Sequence, residues 1–179
     1  MTSVSSFAPI EGNTARVLIL GSMPGVASLA AGQYYAHPKN SFWKIVGAIL
    51  GFSENTSYEE RIEMLKRSGI ALWDVLESCI RPGSMDANID MNSAKPNDIG
   101  ALLQRQPKIT AICFNGSAAE KIFKKRVLPT LGDTHIKYVR LPSTSPAHAA
   151  MSFEDKIAAW RNSLMDQDIT NINRVLKNA

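Results

Sequence analysis

Four short apolar runs constrain this chain more than any other feature: Arg16–Leu20, Ile70–Val75, Thr110–Phe114 and Ile136–Leu141. Their hydrophobicity is near-continuous rather than alternating, which is the pattern of parallel strands buried on both faces. Helical segments separate them. Ser41–Leu50 carries Phe42, Ile45, Val46 and Ile49 on one stripe, and Tyr58–Ser68 carries Ile62 and Leu65 among paired charges. Asn97–Arg105 stops before Pro107, and Ser117–Val127 is amphipathic with a basic outer face. A final helix is expected from Ser152, where Ser-Phe-Glu-Asp resembles a capping box with Asp in place of Glu, through Trp160. Gln167–Ala179 is expected either as a last helix or as a fraying tail. Strand and helix alternating in this rhythm give an α/β fold, a parallel sheet with helices on both faces. At 179 residues, positions 1–179 read as one domain, long enough to bury roughly 70% of its unfolded surface.

Composition excludes several classes. Apolar residues at 45% and charged residues at 20% describe an ordinary globule, and no apolar run approaches the ~20 residues that span a bilayer. The N-terminus, Met-Thr-Ser-Val-Ser-Ser-Phe, lacks a basic stretch followed by an apolar core, so no signal peptide is expected. Cys79 and Cys113 fit neither a metal knuckle nor a disulfide framework. Reduced thiols and a cytoplasmic location are the expectation. An iron–sulfur cluster needs about four ligands, which two cysteines cannot supply; no metal or other cofactor is expected. The net charge of +4 permits phosphate contacts without establishing them. The basic run Lys121–Arg126 reads as a solvated helix face that would add non-specific attraction if DNA binds.

In an open α/β sheet, ligands bind beyond the carboxyl ends of the strands. Three stretches are expected there as loops: Gly21–Asn40, Leu76–Asn92 and Pro142–Met151. In the first, Gly21 and Gly25 allow close approach of a ligand and Pro24 stiffens the turn. Tyr34 and Tyr35 offer flat faces to a planar ring, and base–aromatic stacking is worth about 1–3 kcal/mol. Asn40 has a donor and an acceptor with which to hold a water or read a base edge; equally, an Asn here caps the helix that follows. In the last, Ser143, Thr144 and Ser145 lie between two prolines, an arrangement that suits a phosphate and also makes an ordinary turn. His148 is placed to hydrogen-bond a leaving group or phosphate, or simply to be solvated. A Ser-His hydrolase is disfavoured, because no Gly-x-Ser-x-Gly elbow is present.

Together these residues resemble the uracil-DNA glycosylase superfamily, over roughly Arg16 to Trp160. Gly21-Ser22-Met23-Pro24-Gly25 is similar to the superfamily's first motif, Gly-x-Asp/Asn-Pro-Tyr/Gly, and Leu141–Pro146 to its second. Tyr35-Ala36-His37-Pro38-Lys39-Asn40-Ser41-Phe42-Trp43-Lys44 is similar to the mismatch-specific uracil enzymes. The departures are informative. Met23 replaces the water-activating Asp or Asn, Leu141 replaces the leading His of the second motif, and Ser145 with Pro146 stands where an apolar wedge is usual. This pattern resembles the hypoxanthine-DNA glycosylase family within the superfamily. The resemblance implies a three-layer α/β/α sandwich around a four-stranded parallel sheet, acting as a monomer on damaged DNA. It implies Asn40 as the catalytic amide, Tyr35 stacked on the extruded base, Tyr34 in the pocket wall, and Gly21, Ser22, Met23 and Pro24 lining it. Ser143, Thr144, Ser145, Pro146 and His148 would meet DNA. Asp74, where the principal uracil enzymes have a base-reading asparagine, would accept the N1–H of hypoxanthine, a proton adenine lacks; the other reading is a helix cap or a salt-bridged Asp. A uracil or mismatch-specific glycosylase and a non-catalytic DNA- or nucleotide-binding module are the alternatives.

Overall fold

In the computed structural model, residues 3–166 are described. The strands in chain order are β1 (Ser3–Ser5), β2 (Val17–Gly21), β3 (Ile70–Asp74), β4 (Leu76–Ile80), β5 (Asp90–Pro96), β6 (Ala111–Asn115) and β7 (Lys137–Leu141). The helices are α1 (Val26–Ala31), α2 (Phe42–Leu50), α3 (Tyr58–Arg67), α4 (Ile99–Arg105), α5 (Ser117–Arg126) and α6 (Phe153–Met165). The four apolar runs become one parallel sheet in the order β3-β2-β6-β7. Each begins within one residue of its expected start. Val17–Leu20, in the middle of the sheet, are fully buried, which is why that run shows no alternation.

The sheet direction of travel decides where a ligand fits. The chain passes from β2 to β3 on one side, then crosses back over β2 to β6 and β7. A crevice therefore opens at the carboxyl end of β2, between its two neighbours. Register brings Gly21 opposite Asp74, Leu20 opposite both Trp73 and Phe114, and Asn115 opposite Leu141. Helices cover the sheet. Phe123 of α5 packs on Phe114 at 5.0 Å between ring centroids, and Trp160 of α6 meets Phe42 of α2 edge-on at 5.8 Å. The expected cap at Ser152 is present: its hydroxyl accepts the Asp155 N–H at 3.1 Å and donates to the Asp155 carboxylate. The tail Gln167–Ala179 lies outside the described residues.

Two expectations need correction. Leu76–Asn92 is not a rim loop. β4 and β5 form a hairpin that, with β1, makes a separate antiparallel sheet in the order β1-β4-β5, and only the turn around residues 81–88 reaches the crevice. β5 reads Asp-Met-Asn-Ser-Ala-Lys-Pro and buries only Ala94, so pairing, not side-chain pattern, makes it a strand. Gly21–Asn40 likewise is not all loop. It contains the six-residue α1, closed by Gly32 at φ 63°.

Trp160 ties α6 to the rim as well as to the core. It is fully buried, and its indole N–H donates to the Pro142 carbonyl at 2.9 Å. Trp160→Ala is expected to cost about 3–5 kcal/mol, measurable by denaturant unfolding, with Trp160→Phe costing clearly less.

Candidate active site

The crevice is a cleft of ≈ 560 Å³ over the carboxyl ends of the central strands. Its floor is set by the pairing of Gly21 with Asp74. A side chain at position 21 is excluded, because a Cβ there would lie 2.5 Å from Asp74 Oδ1 and 2.8 Å from the Tyr35 hydroxyl. Asp74 is 3% exposed, and its Oδ2 has no hydrogen-bond partner. Burial, helped by the charge of Asp86 and opposed by Arg81, pushes its carboxyl up to about 7. It caps no helix and forms no ion pair among the described residues; the one side-chain hydrogen bond found there is received by its backbone carbonyl, from Asn97 Nδ2. The two structural readings of Asp74 therefore fail. What remains is a buried carboxyl lining the cleft with an unused oxygen.

The arm from Tyr34 to Asn40 forms one wall. Tyr34 is an anchor: 4% exposed, its hydroxyl donates to the Ala8 carbonyl at 2.9 Å, and its own carbonyl accepts the Trp43 indole N–H at 2.8 Å. Tyr35 sits in the left-handed region at φ 54°, rare for a residue with a side chain. Its ring stacks on Phe42 with centroids 4.0 Å apart and planes 19° apart. Its hydroxyl is buried without a partner, and burial, then the Asp74 charge, pushes it well above the ordinary phenol value. Asn40 stands one residue before the α2 N-cap, Ser41, so it satisfies a helix-end N–H without being the cap itself, and it lines the cleft as well. Its Oδ1 accepts the Phe42 N–H at 3.0 Å at the start of α2, which fixes the amide's orientation and leaves Nδ2 and one Oδ1 lone pair for a ligand.

Two lips rise from the rim. One is Ser143–His148. Thr144 is 1% exposed and is locked to Asn115: its N–H donates to Asn115 Oδ1 and its hydroxyl accepts from Asn115 Nδ2, both at 2.9 Å. Asn115 thus fixes the Thr144 hydroxyl at the cleft wall, where it accepts one bond and keeps its own hydrogen. The Ser143 hydroxyl accepts the Ser145 N–H at 3.2 Å and the Ser145 hydroxyl accepts the Ala147 N–H at 3.3 Å, so each keeps its hydrogen for an outside acceptor. Pro146, Ala147 and His148 are exposed. The other lip is the β4–β5 turn. Arg81, 4% exposed, donates to the carbonyls of Met23, Pro24 and Gly83. The Ser84 hydroxyl accepts the Val26 N–H at 2.9 Å, and the Ser22 hydroxyl donates to Asp86 Oδ1 at 2.5 Å. Met23 itself is buried at 6%.

Sequence reasoning missed Asn115, Arg81 and Asp86. Asn115 had a signal, standing one residue past the third apolar run, where strand ends carry function. Arg81 and Asp86 lay within an expected rim stretch, with nothing local to mark them. Among the described residues no group of three or more His, Cys, Asp and Glu side chains is arranged to hold a metal ion. No described helix is long and apolar enough to cross a membrane.

Comparison with known proteins agrees with this geometry. A family model described as the uracil DNA glycosylase superfamily matches residues 9–166. A Methanosarcina acetivorans protein named hypoxanthine DNA glycosylase is 36% identical over 154 residues, covering 86% of this chain and 92% of that protein. A protein of the same name from Methanosarcina barkeri is 38% identical over 111 residues, 62% of this chain and 69% of that one. A solution NMR structure of a Methanosarcina acetivorans protein, described there as a candidate uracil DNA glycosylase, superposes with a TM-score of 0.77 at 31% identity, covering 93% of this chain and 99% of that one.

The buried carboxyl has a thermodynamic signature. The folded chain holds the Asp74 proton up to about pH 7, whereas an unfolded Asp releases it near ~3.9. Between those values the folded state binds more protons, so stability falls as pH rises through that window. Asp74→Asn removes this loss. Its Tm relative to the parent is expected to rise between about pH 5 and about pH 8, by at least the ~2–4 °C that 1 kcal/mol represents at this size. Thermal melts at the two pH values decide it.

Proposed function

The chain belongs to the uracil-DNA glycosylase superfamily, and from that premise we propose that it is a monofunctional DNA glycosylase that removes hypoxanthine from deoxyinosine. The observation that carries the substrate is the Asp74 carboxyl, buried at the end of the cleft with an oxygen unpartnered. A base inside a duplex cannot be reached, so the nucleotide rotates out at a cost of a few kcal/mol, less for a mispaired base. The extruded purine lies on the face of Tyr35, which Phe42 backs from the other side. Its Watson–Crick edge then points at Asp74. Hypoxanthine offers an N1–H to that acceptor. Once that carboxyl is ionised, above about pH 7, adenine offers it only a lone pair, and burying acceptor against acceptor is the kind of mismatch that supports strong discrimination. Uracil carries an equivalent N–H and is the second reading.

Cleavage of the N-glycosidic bond passes through an oxocarbenium-like sugar. Asn40 is the group that holds the attacking water, its amide orientation fixed by the Phe42 N–H, with the backbone of Gly21–Pro24 lining the same space. Ser143 and Ser145 donate to phosphates flanking the flipped site, with Pro146 and His148 meeting the duplex beside them. The same reading makes the enzyme a cytoplasmic monomer that works on damaged DNA without a cofactor.

Duplexes carrying inosine, uracil, xanthine or ethenocytosine, scored for abasic sites, test this. Release from the inosine duplex above all others is expected; tight binding with no base release from any of them contradicts it. Asn40→Ala is expected to abolish hypoxanthine release while the fold survives the loss of one hydrogen bond to the Phe42 N–H, worth ~1 kcal/mol. An unaltered single-turnover rate removes Asn40 from the mechanism.

A further inference from the structure

Hydrolysis of a glycosidic bond needs more than an oriented water. The water must surrender a proton as its oxygen closes on C1′, and the cationic sugar gains from negative charge beside it. Asn40 meets neither need, because an amide does not take up a proton near neutral pH. The hydroxyls and amides that line the cleft, Ser28, Ser84, Asn115, Ser143 and Ser145 among them, are no better as bases near neutral pH. Two carboxyls line the cleft. Asp74 is sealed at its floor, where the base edge lies. The other is Asp86.

Asp86 is held in place from several directions. Ser22 donates to its Oδ1 at 2.5 Å, and Ser22 is the residue after Gly21, so the carboxylate stands next to the floor. The turn that carries it is fastened to the first-motif loop by Arg81 on the carbonyls of Met23 and Pro24, and by the bond between Ser84 and Val26. Asp86 Oδ2 makes no hydrogen bond to the protein among the described residues.

We propose that Asp86 is a catalytic carboxylate of this site, taking the proton of the attacking water and stabilising the cationic sugar. The inference rests on the glycosylase reading above. As the C1′–N9 bond breaks, its electron pair leaves with the base, which is then protonated from solvent. Water oxygen bonds to C1′, and the water proton passes to Asp86 and on to solvent. Nothing else is consumed.

The groups that bear on Asp86 set its titration. Asp86 is exposed at the rim, and partial desolvation by the cleft wall raises its carboxyl, while the Ser22 hydroxyl and the Arg81 guanidinium lower it. Asp74, Tyr35 and Cys79 lie within range of its charge. Removing the Ser22 donor therefore raises the pH at which Asp86 becomes an effective base.

The test uses the full chain and an inosine-containing duplex under single-turnover conditions. Asp86→Asn is expected to lower the cleavage rate by about 100-fold or more, the range general base catalysis supplies, while binding the duplex at least as tightly, since it removes a negative charge facing DNA. Ser22→Ala is expected to keep measurable cleavage but to shift the acid limb of the pH–rate profile to higher pH, which a merely structural role would not do. An Asp86→Asn rate within about threefold of the parent overturns the assignment and leaves the hypoxanthine reading standing. If Asp86→Asn does not fold, the Ser22→Ala profile decides alone, and one superimposing on the parent's overturns the assignment. A parent enzyme inert on inosine duplexes overturns both readings, because Asp86 then has no hydrolysis to serve.

Discussion

Asp74 can sit at the end of β3 only because its register partner on β2, Gly21, has no side chain. That absence opens a slot into which the Asp74 carboxyl and the Tyr35 hydroxyl both point, and neither finds a partner for its buried atom within the protein. Leaving a buried polar atom unpaired costs about 1–3 kcal/mol. Two such atoms in one slot mark a place where the fold gives up stability for a ligand. The floor of the cleft follows from this pairing.

The rest of the molecule holds that slot open. Phe42 backs Tyr35, Trp160 packs edge-on against Phe42, and the Trp160 indole holds Pro142 at the base of one lip. Asn115 locks the same lip through Thr144. Across the cleft, a single buried guanidinium, Arg81, joins the hairpin turn to the first-motif loop. Flexible parts are thereby tied to the parallel sheet. The groups that would contact a substrate stand on supports with little freedom, as electrostatic catalysis requires.

Much of this was legible in the residues. The four strands declared themselves because burial on both faces leaves no alternation to obscure them, and the rim followed from strand direction. Tyr35 and Asn40 stood out as unusual residues in a strand-end segment. The β1-β4-β5 sheet did not show, since β5 is polar and short of β-formers and exists through its pairing with β4. Asp74 was legible as a candidate and undecided in role; only its burial without a partner removed the cap and the salt bridge. Arg81 and Asp86 act on residues 57 to 64 positions away. No local pattern encodes such contacts.

The central claim is that a buried, unpaired carboxyl reads the base. It is tested most directly by following the side-chain carboxyl carbon of Asp74 by NMR through a pH titration, alone and with free hypoxanthine or adenine. A midpoint of about 7 is expected in the free protein. Hypoxanthine should move it downward, because an N–H donated to the carboxylate favours the charged form, and adenine, whose N1 only accepts, should not lower it. A carboxyl that titrates with exposed aspartates near ~3.9, or one indifferent to hypoxanthine, contradicts the account.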